Sequence, residues 1–232
     1  MFSKSAPFYD AIYSFKDYAA EAIEVQDLIQ KRNPEARTLL DVACGTGLHL
    51  QQLAGMFDVT GLDLDAGLLK IASERVPEVP LHEGDMRTFD LGERFDAITC
   101  LFSSIGYVGG PDELSQTFER FVEHLNPGGV VVVEGWFSPY EWMEDHVGSV
   151  FVDKPDLKIA RMNVSGTRGR MSVMDLHYLV GTLEGVEHFV EPHELYLFTP
   201  DEYIAAMVAA GLKVDHDTDA LMGRGVYIGV KP

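Results

Sequence analysis

The sequence predicts an α/β fold: a mostly parallel sheet of seven strands covered by helices on both faces, with a small antiparallel β-sheet inserted late in the chain. Three observations predict it. Short apolar runs alternate with helical stretches between residues 38 and 134, the pattern of βα repeats. After Trp136 the helical period disappears and β-branched and aromatic residues take over. A helix and two strands then return between residues 199 and 230, which closes a seven-stranded core.

The elements follow in order. Over residues 17–32, Tyr18, Ala22, Ile23, Val25, Leu28 and Ile29 recur at helical spacing, and Asn33-Pro34 stops that helix. Residues 38–42 read as a buried strand that runs into Ala43-Cys44-Gly45-Thr46-Gly47, with a helix beginning near Leu48. Strand, glycine turn and helix in that order open a nucleotide-type βα unit. Residues 57–62 read as strand, 66–75 as helix, 79–82 as a short strand, 95–101 as strand, 112–124 as helix and 130–134 as strand. Asn126-Pro127-Gly128-Gly129 reads as the turn between the last two.

Three stretches, residues 150–160, 171–180 and 186–198, form the inserted sheet. Thr199 is the expected N-cap of the next helix, with Pro200 at its first position and Gly211 at its end. Strands over 212–216 and 226–230 finish the chain. The domain reading is an α/β core of residues 1–136 and 199–232 with an N-terminal helical cap, and a subdomain of residues 137–198.

Bulk properties narrow the function. A chain of 232 residues with 46% hydrophobic and 24% charged residues can bury a sizeable core. A net charge of -19 repels phosphate backbones and anionic membranes. Nucleic acid and membranes are therefore not expected partners, and a small molecule is. Cys44 and Cys100 lie in apolar stretches, without disulfide-scaffold or metal spacing. With no signal-peptide h-region and no run near the ~20 apolar residues of a membrane span, the expectation is a cytoplasmic protein holding no metal.

The chemistry gathers at strand ends. Small residues at 43, 45 and 47 let the backbone turn sharply against a ligand. The dinucleotide pattern G-x-G-x-x-G fails, because Leu50 stands where its third glycine belongs. Gly61-Leu62-Asp63 closes the second strand, and a carboxylate there can accept both hydroxyls of a ribose. Gly84-Asp85-Met86 follows the third strand, where a carboxylate can accept an adenine amino group and the Met86 backbone can meet the ring edge. Three such features at consecutive carboxyl-terminal strand ends occupy the edge where open α/β sheets bind ligands. Tyr107, after the fourth strand, lies on this edge. His124 falls at the opposite edge, where it can cap helix carbonyls.

The segment Asp41-Val42-Ala43-Cys44-Gly45-Thr46-Gly47 resembles the first motif of class I S-adenosylmethionine (SAM) methyltransferases, with Ala43 in place of the more usual first glycine. From about Tyr9 onward the chain is similar to the N,N-dimethyltransferases of dTDP-linked 3-amino-deoxy sugars. That similarity rests on Lys16-Asp17-Tyr18, Gly84-Asp85-Met86-Arg87, Phe102-Ser103-Ser104-Ile105-Gly106-Tyr107, His124-Leu125-Asn126-Pro127-Gly128-Gly129, Leu176-His177-Tyr178, Leu197-Phe198-Thr199 and Gly223-Arg224-Gly225. The glycine loop marks only the superfamily; the 102–107 stretch and the late Gly-Arg-Gly are more specific.

The resemblance implies the Rossmann-like seven-stranded sheet of class I methyltransferases. It implies SAM as cofactor, released as S-adenosylhomocysteine, and cofactor roles for Tyr18, Ala43, Gly45, Asp63, Leu64, Asp85, Met86 and Leu101. It implies substrate contacts from Tyr13, Arg161, His177 and Arg224, with Tyr107, Tyr13 and His177 as the groups nearest the reaction. An arginine fork suits a nucleotide diphosphate. Some family members carry a histidine where this chain has Tyr107, a Ser-His-Ser near Arg161-Met162-Asn163-Val164-Ser165, and a tyrosine near Phe2. These departures fall on the substrate side. The expected activity is N-methylation of a small amino compound such as a dTDP-linked amino sugar. O-methylation of a small metabolite and a non-catalytic SAM-binding module stay open. The inserted sheet is a candidate homodimer surface.

Overall fold

A computed structural model describes residues 4–223 and 225–232. Pro7 lies within a short 3-10 turn, Ala6–Phe8, that leads into the one-turn helix α1 (Tyr9–Ile12). Helix α2 (Tyr18–Gln30) begins where the Asp17 carboxylate accepts the N–H of Ala20. Its Ala22, Val25 and Ile29 stripe is buried.

The βα alternation then runs as expected: β1 (Thr38–Val42), α3 (Leu48–Leu53), β2 (Asp58–Asp63), α4 (Ala66–Arg75), β3 (Leu81–Glu83), β4 (Phe95–Cys100), α5 (Pro111–Glu123) and β5 (Leu125–Glu134). One boundary differs. Asn126-Pro127-Gly128-Gly129 is absorbed into β5 as an irregularity, because the pairing jumps from Phe95↔Leu125 to Ala97↔Val130. Gly128 takes a φ of 76°, and the 128–129 backbone exchanges hydrogen bonds with Lys231. A glycine-rich turn reads as a loop in sequence; here the last residues of the chain pair with it.

The inserted segment forms four strands where three were expected: β6 (Val147–Lys154), β7 (Leu157–Arg168), β8 (Met171–Thr182) and β9 (Gly185–Tyr196). Pro155-Asp156 folds the first expected stretch into a hairpin, pairing Lys154 with Leu157. The four strands make an antiparallel sheet in chain order. Thr199 caps α6 (Pro200–Ala209) through a capping box with Glu202. Strands β10 (Lys213–Asp217) and β11 (Val226–Val230) follow.

The main sheet has seven strands in the order β10-β11-β5-β4-β1-β2-β3. All its pairs from β3 to β5 are parallel, and β11 runs antiparallel to both β5 and β10. Both faces are buried, so successive residues of Val130-Val131-Val132-Val133 feed opposite layers. Val131 and Val133 join Leu40, Phe118, Phe121 and Met207 beneath α5 and α6. Val130 and Val132 join Leu39, Ala22, Val25, Ile29 and Leu53 beneath α2 and α3. A third cluster packs Ala11 and Ile12 of α1 against Ile159, Tyr178 and Phe189 of the antiparallel sheet. The N-terminal segment thereby bridges the second sheet and the carboxyl-terminal edge of the first.

Candidate active site

A cavity of about 440 Å³ lies between the carboxyl ends of β1–β4 and the inner face of the antiparallel sheet. Its first wall comes from the strand ends. Ala43 (φ 59°), Gly45 (φ 59°) and Gly47 (φ 78°) turn the chain from β1 into α3 in left-handed conformations. A Cβ on Gly45 would touch nothing within 4 Å, so the loop leaves open room on its cavity side. At the end of β2, Asp63 holds this loop: one carboxylate oxygen accepts the Gly45 N–H and the other the Asp65 N–H, each at 2.8 Å. Burial raises the Asp63 pKa. Leu64 lines the cavity beside it.

Asp85 and Met86 line the cavity after β3. The Asp85 carboxylate is bound by Arg87, which lowers its pKa, and Arg87 also pairs with Glu113. Tyr18 and Leu101 face a small adjoining recess with Ala43, Gly45 and Thr46. The Tyr18 hydroxyl is buried there without a hydrogen-bond partner among the described residues. Such an orphan donor, next to a backbone loop with open space before it, fits a polar ligand tail. The eight residues expected on the cofactor side therefore stand together.

The second wall comes from the N-terminal segment, the turn after β4, and β7–β9. Phe102 (φ 53°) and Ser103 (φ 60°) are consecutive left-handed residues, a costly conformation that persists where its surroundings enforce it. Here the Phe102 N–H is held by Glu134 at 2.6 Å and the Ser103 hydroxyl by the Gly135 carbonyl at 2.7 Å. That turn presents Tyr107, whose hydroxyl lies 2.7 Å from Nδ1 of His193. Tyr13 accepts a 2.9 Å hydrogen bond from Arg161 and stacks edge-on against Phe102. Tyr9, Trp136, Asn163, Met174 and Leu195 complete this wall.

The N-terminal cap is tied down from both sides. Asp10 accepts the Thr46 hydroxyl at 2.7 Å and pairs with Arg75. The Ser5 backbone and side chain both bind Glu191 of β9. Lys16 is buried against Glu21, which also meets His49 at 2.8 Å.

One expected site residue is misplaced. His177 does not face the cavity: it is exposed on the outer face of the antiparallel sheet and stacks on His188. Side chains alternate along a strand, so the inward positions of β8 are Leu176 and Tyr178, and His177 points the other way. Arg161, opposite Tyr178 in the pairing, has the inward parity and lines the cavity. The histidine that does face it is His193, on β9. Sequence reasoning passed it over, although it shares parity with the apolar Phe189 and Leu195. Arg224 and Phe2 lie outside the described residues. His124 stands at the far edge, with Nδ1 on the Arg120 carbonyl and Nε2 accepting the Leu91 N–H.

A mainly parallel sheet with a glycine loop after its first strand, an acidic residue ending the second and a cavity above them is a site for an adenosine-bearing cofactor. A family model described as a methyltransferase domain matches residues 39–129. The chain is 43% identical over 229 residues to dTDP-3-amino-3,4,6-trideoxy-alpha-D-glucopyranose N,N-dimethyltransferase of Streptomyces venezuelae, covering 97% of each. It is equally similar, at 43% over 229 residues, to dTDP-4-amino-2,3,4,6-tetradeoxy-D-glucose N,N-dimethyltransferase of Saccharopolyspora spinosa, covering 97% of this chain and 92% of that one. Among solved structures it matches DesVI of Streptomyces venezuelae with a TM-score of 0.91 and 41% identity, over 97% and 98% of the two chains. SAM-bound CalS10, an amino pentose methyltransferase from Micromonospora echinaspora, matches with a TM-score of 0.89 and 39% identity over 97% of each chain. The chain belongs to the family of these N,N-dimethyltransferases. It is a SAM-dependent N-methyltransferase.

Proposed function

We propose that this enzyme methylates the amino group of a dTDP-linked amino sugar. The observation that carries the reading is the cavity in which Ala43, Gly45, Asp63, Leu64, Asp85 and Met86 face Tyr13, Tyr107, Arg161 and His193. Tyr18, Ala43, Gly45, Asp63, Leu64, Asp85, Met86 and Leu101 hold the cofactor. Gly45 supplies close backbone approach and Asp63 a ribose-binding carboxylate. Asp85 keeps its adenine role while Arg87 orients its carboxylate. When bound, SAM supplies a methyl group on a sulfonium, already a good leaving group.

The enzyme's contribution is to orient the acceptor and exclude water, which can supply up to about 7–11 kcal/mol in well-aligned systems. An amine arriving as free base needs no proton abstraction before attack. A hydroxyl acceptor needs a general base. Burial holds the His193 pKa down at about 4, so it is a weak one, and nitrogen is favoured. Arg161, oriented by Tyr13, offers a fork for the diphosphate, and Arg224 is assigned to the same substrate. In the reaction one N–C bond forms and one C–S bond breaks. The sulfur keeps the electron pair, and the new ammonium loses its proton to solvent.

Residues 137–198 act as the substrate-side subdomain on the core of residues 1–136 and 199–232. The working form is a homodimer through the outer face of the antiparallel sheet, located in the cytoplasm. Incubation with SAM and a panel of dTDP-amino sugars should add methyl mass to at least one of them. No mass gain on any of them would remove the sugar assignment.

A further inference from the structure

Tyr107 and His193 come to the acceptor wall from separate elements, the turn after β4 and strand β9, and meet at 2.7 Å. His193 is 3% exposed, and both side chains line the cavity. Resting on the N-methylation reading above, we infer that His193 is a positioning residue: Nδ1 takes the Tyr107 hydroxyl proton into a hydrogen bond and leaves the Tyr107 oxygen as a fixed acceptor for the substrate amine.

A phenol has one O–H to donate and lone pairs to accept with. Once its proton is directed at Nδ1, the oxygen can only accept from the cavity. An amine that donates one N–H to this oxygen has its lone pair turned away from it by the tetrahedral geometry of nitrogen. Fixing the N–H therefore fixes the direction of attack. His193 suits the task because burial keeps its ring neutral, with Glu191 on the same strand opposing that shift and Arg161 of β7 adding to it. A neutral ring protonated on Nε2 presents Nδ1 as an acceptor.

The device also counts N–H bonds. A primary amine offers two, a monomethylated amine one, and the free-base dimethylated amine none. Tyr107 can thus orient the nitrogen for two successive transfers and has no hold on the product of the second.

The test compares His193→Leu, His193→Asn and Tyr107→Phe with the wild type on whichever dTDP-amino sugar the wild type methylates. Asparagine keeps an acceptor near the place of Nδ1; leucine does not. His193→Leu and Tyr107→Phe should each lower kcat by about tenfold or more. KM should stay within about threefold and calorimetric SAM affinity unchanged. The double variant should be no slower than either single one, and His193→Asn should recover most of the rate. A His193→Leu enzyme with wild-type kcat overturns the inference, as does a His193→Asn enzyme that binds SAM yet is as slow as Tyr107→Phe. If His193→Leu fails to fold, the comparison of His193→Asn with Tyr107→Phe decides. Independently of any substrate, the ¹⁵N shift of His193 Nδ1 should be that of an unprotonated acceptor, and a protonated Nδ1 overturns the inference. A wild type inactive on every amino sugar would instead count against the proposed function, leaving the nitrogen shift to judge the Tyr107–His193 bond.

Discussion

Asp63 does two things with one carboxylate. It holds the Gly45 N–H at 2.8 Å, and it stands at the strand end where a ribose would lie. Asp63→Ala should weaken SAM binding at least tenfold, about 1.4 kcal/mol. Unchanged calorimetric affinity would refute the ribose role. Asp41, at the end of β1, is 2% exposed and accepts the Thr99 hydroxyl at 2.7 Å. Burial pushes its pKa up to about 6. The native state therefore binds more protons than the unfolded chain between about pH 4 and 6, and stability falls as pH rises through that window. The gap corresponds to about 2–3 kcal/mol. Asp41→Asn keeps the acceptor for Thr99 and removes the charge. It should raise the melting temperature at pH 7.5 and bring no gain at pH 4; a gain independent of pH would contradict the assignment. Ala43 shows what a single residue can hide, since its place in the loop was legible but its φ of 59° was not.

At the scale of elements, local chemistry predicted most boundaries. Thr199, Pro200 and Glu202 mark the start of α6 in sequence, and the capping box forms. Thr199→Ala should cost about 1 kcal/mol. It should appear as a lower urea midpoint with an unchanged m-value; no shift would mean that the tie between Arg170 and Glu202 holds the helix start alone. The misses share one cause. A hairpin at Pro155-Asp156 and the paired 126–129 turn both depend on which strand lies alongside. The His177 assignment failed by one position, because parity along a strand is set by which face meets the core. Helices were safer, since their apolar stripes name the buried face directly.

For the whole molecule, the antiparallel sheet has two unlike faces. The inner one lines the cavity and packs on α1. The outer one exposes Phe151 at 66%, Val164 at 59% and Leu179 at 50%, with Met162 and Val190 also exposed. Apolar surface of that kind is usually covered by a partner, which supports the proposed dimer. Phe151→Glu should convert a dimer to a monomer in light scattering while leaving SAM affinity unchanged. A wild-type chain that runs as a monomer at micromolar concentration would remove the dimer.

The sequence by itself determined the order of strands and helices in the α/β core, the glycine loop after β1, and the acidic residues ending β2 and following β3. Each is written in contiguous residues whose apolar period or turn chemistry acts locally. Only the tertiary structure decided what stands opposite that cofactor edge. Tyr13, Tyr107, Arg161 and His193 come from four separate segments, and their meeting depends on how the second sheet packs over the first and which of its faces turns inward. Long-range packing, which no local period encodes, built the acceptor wall.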